Sequence, residues 1–318
     1  MVGYVASSDQ TACLRVHSAS EPGAALGRFH RRDRGAKDGL ARRITGGRST
    51  ATGPGLLEMT LAVPSIGWLD PGGVALRPEQ FLNRALRPLL ATLRRFGVDA
   101  FYPGRDLITV ASKPVAACSF SVFPDAVVVV EVCVGATESL STLGERLADL
   151  DPNGVAAVDT RCFEEAVSLA ELDCADRTPE QWLCDLATTA QSSWRCTTNI
   201  CREVPPWLMG FIPPTDSAYA AFLEERLPAA DDVRTAASMS MLGVVEVSAR
   251  IEDARVSQLE ITGDLIAPPM TLSALTDACE GVVARPAALR RAVTEVLSHE
   301  GHFLLGLESP DELLCRLV

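Results

Sequence analysis

The sequence predicts an α+β protein, and three observations carry this prediction. Residues 126–134 form an apolar run dominated by valine, which is typical of a strand in the middle of a sheet. Residues 77–96 repeat leucine and phenylalanine at helical spacing, so they are expected to form an amphipathic helix. Residues 245–262 alternate apolar and polar side chains around a short turn, which predicts a β-hairpin, and two helices are expected after it near 271–280 and 286–299.

The first half of the chain alternates short strands with loops and one helix. Pro88 lies inside the helical pattern, so a kink or a break into two helices is expected there. The other segments are a strand–loop–strand unit over 13–30, a largely irregular stretch over 31–56, a strand over 57–63, and short strands over 107–110 and 115–122.

The second half shows a change in composition near residue 197. Residues 137–190 are expected to be helical in pieces, whereas 197–240 contain two Pro-Pro pairs and no sustained period, with a helix near 216–226. The chain is therefore divided into a large domain (1–196), a connector (197–240) and a small domain (241–318).

The charge distribution excludes a uniformly basic nucleic-acid binder. The chain has 29 basic and 41 acidic residues, a net charge of −12. Residues 1–48 reverse this balance, with nine basic and four acidic groups, which suggests a local anion site or a solvated basic loop. No apolar stretch approaches the roughly 18 residues of a membrane span, and the N-terminus lacks the pattern of a signal peptide. We expect a cytoplasmic protein that binds neither nucleic acid nor membrane.

Ten cysteines raise the possibility of a metal site, but their spacing does not favour one. The closest pair, Cys196 and Cys201, has no histidine within ten residues, whereas structural zinc usually needs two short-spaced pairs of ligands. We expect no metal site in the protein and mostly inert thiols.

The segment most informative about chemistry is residues 42–49, with the sequence RRITGGRS. Adjacent glycines allow a backbone to approach a ligand closely and to point N–H groups at an anion. The flanking arginines can bind a carboxylate or phosphate through two donors each. An ordinary surface loop of this composition is the alternative.

A second group of charged residues lies at a predicted hairpin. Arg105 and Asp106 open one strand, and Lys113 follows just after that strand ends. A guanidinium, a carboxylate and an ammonium around one hairpin are suited to hold a phosphate, a metal ion and an acyl carbonyl. Only Lys37 and Lys113 are lysines in this arginine-rich chain.

The order of these motifs resembles the lipoate–protein ligase family, which shares a fold superfamily with biotin–protein ligases and octanoyl transferases. The resemblance covers most of residues 13–135 and 244–317. Its C-terminal part, 259–269 with the helices that follow, is similar to the small accessory domain of those ligases. The residues that carry the rest are Leu14-Arg15-Val16, Leu26-Gly27-Arg28-Phe29, the 42–49 segment, 96–100, 104–110 and Lys113.

This resemblance implies a class II biotin/lipoate-ligase-like catalytic domain with a mixed sheet, and a small C-terminal α+β accessory domain. The implied reaction activates lipoate or octanoate with ATP and Mg²⁺ to an acyl-adenylate. The acyl group then passes to a lysine of a lipoyl domain or of an H protein. Lys113 would bridge the acyl carbonyl and the phosphate, and Asp106, next to Arg105, would lie near the nucleotide or Mg²⁺. The adenylate would be cradled by Arg42, Arg43, Thr45, Gly46, Gly47 and Arg48.

Two other functions remain open at this point. One is an ATP-independent acyltransferase that uses a cysteine thioester, with Cys162 or Cys118 as the candidate thiol. The other is a non-catalytic relative that keeps the fold. It is suggested because Pro114-Val115-Ala116 replace the family's glycine-containing loop after the lysine. It is also suggested because about twelve residues before the first strand are too few for the family's usual helix.

Overall fold

A seven-stranded mixed sheet forms the centre of the protein, as seen in a computed structural model. The structure describes residues 13–32, 35–69, 76–123, 127–154, 156, 158–172, 177–178, 181–182, 184–185, 188–189, 197–200, 232–307 and 309–317. Within these residues no helix is long and apolar enough to cross a membrane. The helix expected near 216–226 and residue Cys196 lie outside the described residues, as does Cys201.

The strands of the large sheet are β1 (Cys13–His17), β5 (Leu56–Val63), β6 (Ala100–Phe101), β7 (Leu107–Val110), β8 (Lys113–Val122), β9 (Val128–Gly135) and β10 (Thr197–Ile200). Their order in the sheet is β10-β1-β5-β9-β8-β7-β6, in which only the β10–β1 pair is parallel. The predicted central strand, β9, is the fourth of the seven, so its placement is confirmed.

A single long helix, α1 (Pro78–Arg95), covers one face of this sheet. The expected break at Pro88 is wrong, since the helix runs unbroken through that residue. Leu86 and Leu89, on the N-terminal side and on the C-terminal side of Pro88, are both buried against the sheet. This packing compensates for the backbone hydrogen bond that proline cannot make. The rings of Phe81 and Phe120 meet edge to face at 5.2 Å between centroids.

A second, small sheet lies against the other face of the large sheet and is built from the segment that precedes β5. It has the order β3-β2-β4, with strands β2 (Gly23–Leu26), β3 (Leu40–Arg42) and β4 (Thr50–Thr52). The irregular stretch predicted over 31–56 therefore contains two short strands. The helical character predicted over 137–190 is found, in the described residues, in α2 (Leu143–Leu150), in three 3-10 turns and at residues 181–182, 184–185 and 188–189.

The C-terminal unit, residues 233–317, contains a three-stranded antiparallel sheet and three helices. Its sheet has the order β11-β12-β13, with β11 (Val233–Ser240), β12 (Gly243–Glu252) and β13 (Arg255–Gly263). The predicted hairpin and helices are confirmed as β12, β13, α3 (Pro269–Cys279) and α4 (Pro286–Ser298), and the chain adds α5 (Pro310–Cys315). In its described residues, the stretch predicted as a connector holds two strands: β10 of the large sheet and β11, which pairs along its whole length with β12.

A buried arginine ties the loop after β2 to the C-terminal unit. Arg31 is 3% exposed, and its Nη2 lies 2.6 Å from Glu260 Oε2 and 3.2 Å from Ser248 Oγ. Its Nη1 forms a salt bridge with Glu246. One guanidinium therefore pairs with two carboxylates on neighbouring strands, β12 and β13.

We expect the Arg31→Ala variant to lose about 3–5 kcal/mol of unfolding free energy, because it removes the buried cation that pairs with Glu246 and Glu260. Equilibrium denaturation measures this loss. Arg290→Ala is the matched control, since Arg290 pairs with Asp311 on the surface at 2.8 Å and exposed pairs contribute about 0–1 kcal/mol. Equal losses in the two variants would contradict this account of Arg31.

Candidate active site

The face of the large sheet opposite α1 is polar at its centre. On β5, Leu57, Met59 and Leu61 belong to the core under the helix, so Glu58 and Thr60 point to the other side. Their cross-strand partners share that side. We call this set the polar face; its members are Arg15, His17, Glu58, Thr60, Ser119, Ser121 and Glu131.

The segment of residues 42–49, which we call the glycine loop, lies on the polar face. The backbone N–H of Thr45 donates to Glu131 Oε2 at 3.0 Å, and the Thr45 hydroxyl donates to the same oxygen. Ser119 Oγ donates to the carbonyl of Gly46 at 2.6 Å. Gly47 has φ +76°, which favours glycine, so the loop turns sharply where it touches β8.

The same loop also contacts the C-terminal unit. The N–H of Gly47 donates to the Leu265 carbonyl at 2.6 Å, and Arg48 Nη2 donates to the Met241 carbonyl at 3.0 Å. A Cβ atom on Gly46 would lie 2.2 Å from the Leu265 carbonyl oxygen. The absence of side chains at the two glycines therefore lets the loop fit between the sheet and the C-terminal unit.

The three arginines of the loop donate to groups of the protein itself. Arg48 Nε lies 2.7 Å from Asp106 Oδ2, and both side chains are buried. Arg43 donates to the carbonyls of Gly46 and Arg48, and Arg42 donates to the His30 carbonyl at 3.1 Å. The sequence suggests that these guanidiniums bind an external anion, whereas here they hold the loop.

Asp106 does not fit the role of a magnesium ligand in this arrangement. Its side chain is fully buried, and burial raises its pKa to about 6 in spite of the opposing charge of Arg48. Within the described part of the chain, no three His, Cys, Asp or Glu groups are arranged to hold a metal ion. We therefore assign no step to protein-bound Mg²⁺.

Lys113 and Asp106 lie at opposite ends of the β7–β8 hairpin. Lys113 is the first residue of β8, exposed beside the two-residue turn Ala111–Ser112, and forms no salt bridge with any described residue. Asp106 lies beside Cys118, whose N–H donates to the Asp106 carbonyl at 2.7 Å. Five residues of strand separate Lys113 from Cys118, or roughly 16 Å. Arg105 is exposed as well, so the structure does not gather the predicted hairpin residues into one cluster.

The two candidate thiols are poorly suited to nucleophilic catalysis. Cys118 is buried in the core, and burial raises its pKa well above the ordinary value. Burial also raises the pKa of Cys162 to about 12, although Arg48 opposes the shift. Both groups are therefore protonated at neutral pH, whereas the thiolate is the reactive form. The geometry gives no support to a cysteine thioester.

Several polar side chains beneath and beside the glycine loop were not predicted from the sequence. His17 Nε2 lies 3.5 Å from Glu58 Oε2 on the polar face. At the junction with the C-terminal unit, His30 Nε2 lies 3.1 Å from Asp264 Oδ1, and both side chains are fully buried. Glu131, which binds Thr45, interrupts the valine run of β9. A charged residue inside such a run was the available signal.

Comparison with solved structures shows that the chain has the fold of the lipoate–protein ligases. The match that establishes this is the Plasmodium falciparum protein LipL1 in complex with lipoate, with a TM-score of 0.59 at 14% identity. It covers 92% of this chain and 83% of that chain. The mixed sheet and the small C-terminal unit predicted from the sequence are therefore confirmed at the level of fold.

Two further structures match less of the chain. Lipoate-protein ligase A bound with ATP gives a TM-score of 0.45 at 13% identity over 70% of this chain and 85% of that chain. A bi-partite lipoate protein ligase from Thermoplasma acidophilum gives 0.45 at 13% identity over 70% and 83%. No protein-family model matches the chain, and no curated protein is similar to it in sequence.

We expect Gly46→Ala to weaken the attachment of the glycine loop, because the added methyl group would meet the Leu265 carbonyl at 2.2 Å. Overpacking of this kind costs about 1–3 kcal/mol. The unfolding free energy and the rate of limited proteolysis near residues 241–265 measure the effect. Gly67→Ala is the control, since the atom closest to its Cβ would be Ser65 Oγ at 4.0 Å. Wild-type stability and a wild-type proteolysis rate in Gly46→Ala would show that the close approach of Gly46 to the Leu265 carbonyl is dispensable.

Proposed function

We propose that this protein is a lipoate–protein-ligase-like enzyme. It activates lipoate or octanoate with ATP to an acyl-adenylate and transfers the acyl group to a lysine of a lipoyl domain or an H protein. The observation that supports this best is the glycine loop over the polar face, within a fold that matches lipoate-bound LipL1 over most of both chains.

In this proposal the acyl-adenylate lies along Gly46 and Gly47, and Arg42, Arg43, Thr45 and Arg48 contact its phosphate. Arg48 has to leave Asp106 for this purpose, since the two are paired in the structure. Arg105 and Asp106 lie beside the nucleotide. ATP is a co-substrate, and Mg²⁺ travels with its phosphate oxygens, as this ion usually does.

Lys113 is the proposed catalytic residue. Its ammonium is exposed at the start of β8 and forms no salt bridge with a described residue, so it is available to a ligand. Because Lys113 lies at the other end of the β7–β8 hairpin from Asp106, the hairpin has to move for this compact cation to approach the acyl carbonyl oxygen and a phosphate oxygen at once, which a planar guanidinium does less well. It would stabilise the negative charge that develops on the carbonyl oxygen during both half-reactions.

The acceptor is a protein domain that presents a lysine. The Thermoplasma acidophilum structure was solved as part of a lipoylation system with its E2 lipoyl domain. Residues 1–48 carry more basic than acidic groups, and charge of this sign favours an acidic partner, although Arg15, Arg31 and Arg48 are buried and add nothing to the surface. We propose that the acceptor docks on this side, away from the acidic remainder of the chain.

We expect Lys113→Ala to reduce acyl-adenylate formation by about 100- to 1000-fold, the usual effect of removing one oxyanion donor. Pyrophosphate exchange with ATP and lipoate or octanoate measures this step. Lys37→Ala is the matched control, because Lys37 is the other lysine and pairs with Asp149 on the surface. The control should exchange pyrophosphate at the wild-type rate.

Three outcomes would count against this assignment. Equal activity of Lys113→Ala and wild type would remove Lys113 from the mechanism. Lipoate binding without pyrophosphate exchange in the wild-type protein would indicate a non-catalytic relative. An acyl thioester on Cys162 or Cys118, detected by intact mass without ATP, would indicate the transferase instead.

A further inference from the structure

We propose that Glu58, paired with His17 on the polar face, is the general base that takes the proton from the acceptor lysine during acyl transfer. The inference rests on the proposed function and adds to it a residue and a step. Neither residue belongs to the glycine loop or to the β7–β8 hairpin. They lie on the two adjacent strands β1 and β5.

The two side chains form a pair that is fixed by the sheet. His17 and Glu58 are direct cross-strand partners on β1 and β5, and His17 Nε2 lies 3.5 Å from Glu58 Oε2. His17 Nδ1 is buried and has no hydrogen-bond partner among the residues that the structure describes. Side chains held on strands keep a defined geometry, which suits a group that must meet a reacting atom.

The pair lies next to the glycine loop. Thr60, two residues after Glu58, is opposite Glu131, and Glu131 Oε2 accepts the hydrogen bonds from Thr45 of the loop. A diagonal neighbour on an antiparallel sheet is about 7–8 Å away. Glu58 is therefore the diagonal neighbour of Glu131. Glu131 is the residue that anchors the glycine loop, where the acyl-adenylate would lie.

Glu58 is also partly open to an incoming group. Its side chain is 25% exposed and that of His17 is 14% exposed. By contrast, Asp106 and Asp264 are fully buried. Glu131 is partly exposed as well, but its Oε2 accepts the hydrogen bonds from Thr45, so among these carboxylates Glu58 is the one open to a lysine that arrives from another protein.

The electrostatic surroundings bring the pKa of Glu58 close to neutral pH. Burial and the charge of Glu131 raise its pKa to about 7, against the opposing charges of Arg15 on β1 and Arg43 on the loop. Cys133 faces it from β9 with a thiol that is protonated at neutral pH. Burial and Arg15 lower the pKa of His17 to about 4, so its imidazole is uncharged. A base with a pKa near the working pH is the effective kind.

The step balances without any further reagent. The acceptor lysine arrives as an ammonium and gives one proton to a Glu58 carboxylate oxygen. Its nitrogen lone pair attacks the acyl carbonyl carbon and forms the amide bond. The bond from that carbon to the phosphate oxygen of AMP breaks, and AMP leaves with the electron pair, while the second proton of the nitrogen passes to a phosphate oxygen of the departing AMP. Glu58 then releases the proton to solvent.

The test measures the rate of acyl transfer to two amine acceptors, a lipoyl-domain lysine and hydroxylamine, in the wild type and in Glu58→Gln. A lipoyl-domain lysine needs its proton removed at pH 7, whereas hydroxylamine is already unprotonated. We expect Glu58→Gln to slow transfer to the lysine by about 100-fold or more, and to leave hydroxamate formation and pyrophosphate release at wild-type rates. Lysine transfer by the wild type should rise with pH through about 7, because the base acts as a carboxylate. The variant should lack this inflection.

Two further variants control the comparison. Glu58→Asp keeps a carboxylate and should recover part of the lysine transfer. Glu79→Gln changes an exposed carboxylate on α1 and should behave as wild type.

Each possible outcome has a defined meaning. Wild-type rates of lysine transfer in Glu58→Gln would overturn the assignment. Equal losses with lysine and hydroxylamine would also overturn it, because they indicate a structural role. If the wild-type protein itself forms neither pyrophosphate nor hydroxamate, the proposed function fails, and this result is distinct from a failure of Glu58 alone.

Discussion

The glycine loop between the large sheet and the C-terminal unit is the constraint on which the arrangement of the molecule depends. On one side Thr45 and Gly46 bind Glu131 and Ser119; on the other, Gly47 and Arg48 bind the carbonyls of Leu265 and Met241. A side chain at Gly46 would collide with the Leu265 carbonyl. One short segment therefore determines both how the candidate site is covered and how the two parts of the protein meet.

Much of the contact between these parts is polar and buried, which makes it specific more than strongly stabilising. Arg31 pairs with Glu246 and Glu260, and His30 lies against Asp264. The desolvation of such groups offsets most of their attraction, but removing one partner leaves a charge without compensation. Apolar contact comes from Phe303, whose ring stacks on Phe120 at 5.7 Å. Ion pairs thus select one relative placement, and aromatic packing supports it.

The sequence was sufficient to predict the elements with strong local patterns and the fold that they build. Long strands, the amphipathic helix α1 and the C-terminal hairpin were predictable because their apolar periods match their burial. Short strands such as Thr50–Thr52 were not, because they are formed through pairing with distant segments. In the site, the loop was found from its glycines and arginines. That Arg48 would pair with Asp106, and His17 with Glu58, depends on sheet register that no local pattern encodes.

The Arg48–Asp106 pair has a thermodynamic consequence. Any anion that takes hold of Arg48 must compete with Asp106 for the guanidinium, and the same arginine is bonded to the Met241 carbonyl of the C-terminal unit. Occupancy of the loop and attachment of that unit are then coupled equilibria. By reciprocity, the factor by which a bound anion loosens the unit equals the factor by which the seated unit lowers the affinity for the anion.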